Sequence, residues 1–271
     1  MKILTLLRGL WVSGRPIHSV IAGCATGATI AFLPAAIWWP ALAAGCAMTF
    51  VTMAGFIIND IYDKSKDALA CIQRPVTIGL VTRPQGIIAS GLLILISLGL
   101  TPLHGKSMVI LSITAASVIL YSFFARHFPL FKGLYTALLC CAPLSYGAAV
   151  GGGQFPNTVF AALVLYISGR EVYLDIRDIE GDSRFGLKTI PVLIGVAAAR
   201  RMAVILIVVG GLSMLVVVRS TLGYLLACSS LLLLGLVLTW PGLELRRRLQ
   251  LTRMPMFLGA LALASTVWTV Q

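Results

Sequence analysis

Asn59-Asp60-Ile61-Tyr62-Asp63-Lys64-Ser65-Lys66-Asp67 closes a long apolar run, and its three aspartates stand at i, i+3 and i+7. If the helix continues through this stretch, the three acids share one face. A second set follows more than a hundred residues later: Glu171, Asp175, Asp178 and Asp182, at i, i+4, i+7 and i+11. In a chain that is 59% hydrophobic and only 11% charged, such concentrations of charge need a reason. A carboxylate facing mid-membrane costs roughly 2.5–3.5 kcal/mol even on the lenient insertion scale. The acids must therefore face a wet cavity, a cation, or both.

The surrounding chain reads as an all-α integral membrane protein. Its 271 residues have a mean hydropathy of +0.97, too apolar for a soluble surface. The net charge of +12 comes without a basic arm carrying interleaved aromatics, so it points to topology and anionic headgroups and not to nucleic acid. Six cysteines lie mostly inside apolar runs, with no CxxC pair, and read as small packing residues. Lys2, Arg8 and Arg15 before the first apolar run suggest an uncleaved first span in place of a signal peptide.

Apolar windows of spanning length fall at about 17–36, 41–59, 86–103, 107–124, 134–150, 156–174, 200–218, 221–240 and 255–270. That predicts nine transmembrane helices in a single domain over 1–271. With the N-terminus in the cytoplasm and alternating sides, nineteen of the 21 Lys and Arg residues fall inside, leaving Lys106 and Arg219 outside. All nine acids fall inside as well. The C-terminus is then on the opposite side of the cell (plasma) membrane. The second span supplies about 19 residues before Asn59, or roughly 28 Å of helix, so the acids sit near the cytoplasmic hydrocarbon edge.

The two long cytoplasmic loops resemble each other. Each begins with acids at helical spacing and continues to a basic residue and an apolar segment ending in glycine. The first runs Arg74-Pro75-Val76-Thr77-Ile78-Gly79; the second runs Lys188-Thr189-Ile190-Pro191-Val192-Leu193-Ile194-Gly195. This predicts two pseudo-repeated four-helix halves, spans two to five and six to nine, around a central cavity open to the cytoplasmic side. Many Gly and Ala residues are available for close helix contacts.

Oxygen-only donors at this spacing, without His or Cys, select a hard divalent ion, most simply Mg²⁺. Mg²⁺ bridges carboxylates to phosphate oxygens, so the implied ligand is a phosphate or diphosphate assisted by nearby Arg and Lys. The plainer alternative is a set of solvated loop acids paired with Lys64, Lys66, Arg177 and Arg184. Two clusters at equivalent places in a repeat favour the shared site.

Asn59-Asp60-x-x-Asp63-x-x-x-Asp67 with Arg74-Pro75 and Gly79 resembles the first signature of the UbiA superfamily of intramembrane prenyltransferases. Asp175-Ile176-Arg177-Asp178-Ile179-Glu180-Gly181-Asp182, followed by Gly186, Lys188-Thr189 and Gly195, is similar to the second. The resemblance implies that Asn59, Asp63, Asp67, Asp178 and Asp182 hold Mg²⁺ on a prenyl diphosphate, with Asp60 and Asp175 as supporting members. Asp63, Asp67, Asp178 and Asp182 are then the catalytic acids. Arg74 and Arg126 are the foremost candidates for diphosphate contacts, with Lys132 and Lys188 behind them. Tyr121 and Tyr146 are candidates for the prenyl path, as are Tyr62, Tyr166 and Tyr173. The implied reaction is ionisation of an isoprenoid diphosphate to an allylic cation, captured by a small aromatic or other lipid-precursor acceptor.

The chain also departs from that family. Relatives usually read Ile-Asn-Lys-Pro after the third acid, where this chain has Ala68-Leu69-Ala70-Cys71-Ile72-Gln73, and His18 stands where relatives often place Asn. These changes bear on the acceptor and leave the metal ligands intact. The Asp-Ile-Glu-Gly-Asp form of the second motif leans toward the homogentisate and geranylgeranylglyceryl-phosphate branches. Two alternatives remain: a UbiA-type terpene cyclase working without acceptor, and a cation-coupled transporter. The transporter would want charges near mid-membrane on several helices, and here they gather at one face.

Overall fold

The computed structural model describes residues 2–31, 38–69, 71–101, 105–218 and 220–239, with Arg247, Leu251, Met254, Leu258, Gly259, Leu261 and Ala262 beyond them. The described residues form helices and no strands. In order these are α1 (Lys2–Ser13), α2 (Pro16–Ala31), α3 (Trp38–Tyr62), α4 (Lys64–Leu69), α5 (Arg83–Leu100), α6 (Gly105–His127), α7 (Lys132–Val150), α8 (Asn157–Arg177), α9 (Ile179–Arg184), α10 (Ile190–Ile194), α11 (Val196–Val217) and α12 (Thr221–Thr239).

Among the described residues, five helical segments are long and apolar enough to cross a bilayer: Trp38–Tyr62, Arg83–Leu100, Gly105–His127, Pro129–Val150 and Val196–Val216. They coincide with five of the nine windows. The windows at 17–36 and 221–240 fall on the shorter apolar helices Pro16–Ala31 and Thr221–Leu236. The window at 156–174 falls on α8, which carries Arg170, Glu171, Asp175 and Arg177 toward its C-terminal end. The window at 255–270 lies largely outside the described residues, as do Arg246 and Arg248. Hydropathy windows passed over α1 because its apolar residues occupy one face of a short, basic segment.

The chain divides into two compact units. The first comprises residues 1–127 and 142–152; the second comprises 128–141 and 153–271. In the first unit α3 is the hub, packed by α2, α5 and α6. Its core joins Ile30, Ala44, Ala47, Met48, Val51, Leu111 and Tyr146. Polar side chains tie these helices where no water competes: Ser97 Oγ donates to the Ala47 carbonyl at 2.7 Å, and Thr26 Oγ1 to the Pro143 carbonyl at 3.0 Å. In the second unit α8 is the hub and packs chiefly on α11.

Small residues permit these approaches. A Cβ added at Gly23 on α2 would lie 2.4 Å from the Gly45 carbonyl oxygen of α3, and one at Gly210 on α11 would lie 2.5 Å from the Tyr166 backbone nitrogen of α8. Gly79 and Gly195, matched in the two sequence motifs, take φ of +77° and +80°, a left-handed turn that suits glycine in both loops.

Candidate active site

The first acidic stretch keeps helical register through the break between α3 and α4. The Asp63 amide donates to the Asn59 carbonyl at 2.9 Å, and the Asp67 amide to the Asp63 carbonyl at 2.8 Å. Asn59, Asp63 and Asp67 therefore rise in successive turns, as the spacing predicts. Asn59 Nδ2 donates to Asp63 Oδ2 at 2.9 Å and to Ser122 Oγ of α6 at 3.3 Å, fixing the carboxylate's orientation. Asp60 faces inward and is 1% exposed; Arg15 Nη2 lies 3.2 Å from its Oδ1 and Arg74 Nε 3.9 Å. Arg74 also approaches Asp67 Oδ2 at 3.6 Å. Burial pushes the Asp67 carboxyl above its ordinary value, while Arg74 pulls it back down. A carboxylate in that position gains from an added cation.

The second stretch repeats this layout inside the second unit. Positions 60, 63 and 67 have the same spacing as 175, 178 and 182. The Asp182 amide donates to the Asp178 carbonyl at 2.9 Å, again carrying the register across a helix break. Asp175 is 2% exposed and forms an ion pair with Lys132, the first residue of α7. Asp182 is 1% exposed. Arg177 grips Asp178 with two hydrogen bonds of 2.7 Å each. Glu171 is buried beside Arg170, 3.2 Å away.

The remaining candidates separate by burial. Arg126, in the last turn of α6, and Lys188 are exposed. Tyr121 is half-buried beside Ser122 in the chain. Tyr146, a candidate for the prenyl path, is instead fully buried in the helix core, its hydroxyl 2.7 Å from Thr101 Oγ1. Tyr166 and Tyr173 are buried as well, and Tyr62 is exposed. His18 packs edge-on against Phe56, with ring centroids 6.1 Å apart. Sequence reasoning counted Arg15 only as a topology charge. Its signal was its place directly before Pro16, the counterpart of Lys132 at the start of α7.

The donor set suits Mg²⁺. Among the described residues, no three His, Cys, Asp or Glu side chains gather closely enough to hold a metal by themselves. Mg²⁺ does not require such a cage, since it is held by one or two carboxylates together with substrate phosphates and waters. Within the first unit the oriented Asp63 carboxylate and the buried Asp67 meet that requirement, and Asp178 and Asp182 do so within the second.

A profile of the UbiA prenyltransferase family matches residues 20–261. The digeranylgeranylglyceryl phosphate synthase of Methanospirillum hungatei is 31% identical over 210 residues, covering 70% of each chain. The apo structure of a UbiA homologue from Aeropyrum pernix superposes with a TM-score of 0.77 at 20% identity, over 91% of this chain and 97% of that one. A UbiA homologue from Archaeoglobus fulgidus, solved with GPP and Mg²⁺, gives 0.72 at 18% identity over the whole of both chains. The helical fold, with its long apolar segments, is that of an integral membrane protein. The chain belongs to the UbiA prenyltransferase family, and it is an enzyme that transfers prenyl groups. Membership in an enzyme family removes the transporter alternative.

Proposed function

We propose that this chain transfers a prenyl group from an isoprenoid diphosphate to a glycerophosphate-type lipid precursor, with Mg²⁺ as cofactor, at the cytoplasmic side of the membrane. The observation that carries the reading is the repeated register of acids at 60, 63, 67 and 175, 178, 182, each set crossing a helix break. The acceptor class rests on relatives about 30% identical that are named digeranylgeranylglyceryl phosphate synthases. The A. fulgidus homologue with GPP and Mg²⁺ supports the donor and the ion.

In the first unit Asn59, Asp63 and Asp67 would hold Mg²⁺ on the diphosphate, and in the second Asp178 and Asp182 are the residues that would do so. When bound, Mg²⁺ would supply charge neutralisation for the departing diphosphate, which lowers the barrier to C–O cleavage. Arg74, tied to Asp67, presents a guanidinium to phosphate oxygens in the fork geometry they prefer. Exposed Arg126 and Lys188 add positive charge for the leaving group. Tyr121 offers an aromatic face to the allylic cation until the acceptor oxygen captures it.

Membranes holding the full chain should be incubated with prenyl diphosphates of several chain lengths, with and without glycerophosphate and aromatic acceptors, and products read by mass spectrometry. The expected result is Mg²⁺-dependent diphosphate release coupled to a prenyl ether of the glycerophosphate. Prenylation of aromatic acceptors alone would overturn the acceptor class. Cyclic hydrocarbons formed without acceptor would overturn the transfer and establish a cyclase.

A further inference from the structure

The first acid of each motif is set apart from the second by burial and from the third by the helix its base comes from. Asp60 and Asp175 are 1% and 2% exposed, whereas Asp63 and Asp178 are only half-buried. Each of these two first acids is met by a base from the start of the preceding long helix in sequence. Arg15, immediately before α2, reaches Asp60 near the end of α3. Lys132, opening α7, reaches Asp175 near the end of α8. The separations are 45 and 43 residues, so the pairing is repeated with the fold and does not arise from local sequence.

Arg15 is itself held on several sides. Its guanidinium lies 4.5 Å from the Phe56 ring centroid and 3.4 Å from Asn59 Oδ1. Its backbone sits at φ +46°, a conformation that persists in a non-glycine residue only when the surroundings over-determine it. Held there, Arg15 occupies the space beside Asp60 Oδ1 that Mg²⁺ with its waters and phosphate oxygens would need.

We propose that Asp60 and Asp175 are positioning residues and not metal ligands: Arg15–Asp60 and Lys132–Asp175 are two equivalent internal braces. Each brace sets the rotation and depth of one helix end, so that the acids three and seven residues further on are presented in register. The assignment rests on the Mg²⁺–diphosphate reading for its consequence, though not for its geometry. It also moves Lys132 from the diphosphate to the brace. The matched pairs extend the internal repeat by one helix toward the N-terminus, since α2–α3 then corresponds to α7–α8. Spans two and six no longer open the two halves.

Two double-mutant cycles on the full chain test the proposal: Arg15→Gln with Asp60→Asn, and Lys132→Gln with Asp175→Asn. Asp63→Asn serves as the benchmark for a ligand. Three quantities are read: Mg²⁺ half-saturation, kcat of diphosphate release at saturating Mg²⁺, and Tm in detergent. Each single variant is expected to raise Mg²⁺ half-saturation by about 10-fold or more, as loss of a partner that orients a ligand does. Each should also lower Tm, with the smaller loss in kcat. Each neutral pair should recover most of both losses, because no buried charge is then left alone. Arg15→Lys should behave close to wild type.

The braces are overturned if the neutral pairs remain as inactive at saturating Mg²⁺ as Asp60→Asn or Asp175→Asn alone, which is how ligands behave. They are also overturned if Arg15→Gln and Lys132→Gln change neither Mg²⁺ half-saturation nor Tm. If the wild-type chain releases no diphosphate from any prenyl donor, the functional reading fails separately. The Tm cycles then decide the braces: non-additive losses sustain them and additive losses remove them.

Discussion

At the scale of single residues, the acids of the two motifs divide by what they touch. Asp63 is oriented by Asn59 and left half-open, so it is the acid best prepared for a cation in the first unit. Asp63→Ala should reduce Mg²⁺-dependent diphosphate release by about 10²-fold or more, the scale at which loss of one group stabilising transition-state charge is felt. An unchanged release rate would remove Asp63 from the site. Asp178 poses a different question, because Arg177 already occupies both of its carboxylate oxygens. A cation arriving at Asp178 competes with that guanidinium. Arg177→Gln should therefore lower the Mg²⁺ concentration for half-maximal activity. It should alter stability by no more than about 1 kcal/mol, since the pair is solvent-exposed. A higher Mg²⁺ requirement in this variant would mean that Arg177 helps to hold the diphosphate.

At the scale of elements, close backbone approach decides how the helices sit. Gly210 on α11 has no room for a side chain: a Cβ would meet the Tyr166 nitrogen at 2.5 Å and the Ala162 oxygen at 2.8 Å. Gly210→Ala should force α11 away from α8 and lower stability by about 1–3 kcal/mol, the usual cost of overpacking, seen as a drop in Tm. Gly91 faces open space, so Gly91→Ala should be neutral or slightly stabilising in the same assay. Much of this layer was legible in advance. The windows at 41–59, 86–103, 107–124, 134–150 and 200–218 became helices long and apolar enough to span, because long apolar runs in a bilayer have few other ways to satisfy their backbone. The acid registers were legible because helical period carries directly from sequence to face. The partners of those acids were not, since periodicity is local and Arg15 meets Asp60 across 45 residues. The burial of Tyr146 was not legible for a related reason: an aromatic in an apolar helix reads alike whether it lines a path or fills a core.

At the scale of the whole molecule, the two acidic motifs can serve one diphosphate only if both lie on the same side of the bilayer. Charge supports that arrangement, since an inside N-terminus and alternating spans put nineteen of the 21 basic residues on the side of the acids. The prediction is made with single added cysteines on a background lacking the native six. Cysteines placed at Ser65 and Ser183, in the two motif segments, should react with a membrane-impermeant maleimide only after the cells are opened. Cysteines at Lys106 and Arg219 should react in intact cells. The four positions test the fold at both surfaces and in both units. If Ser65→Cys and Ser183→Cys label from opposite sides, the two halves cannot share a substrate, and the Mg²⁺–diphosphate site fails whatever the activity of single variants. If both label from outside, the chemistry survives but its substrates must come from the other face. Labelling both from within, with activity lost on removal of Mg²⁺ by chelation and restored on its return, is the expected outcome and puts both motifs and metal-dependent chemistry on the cytoplasmic side.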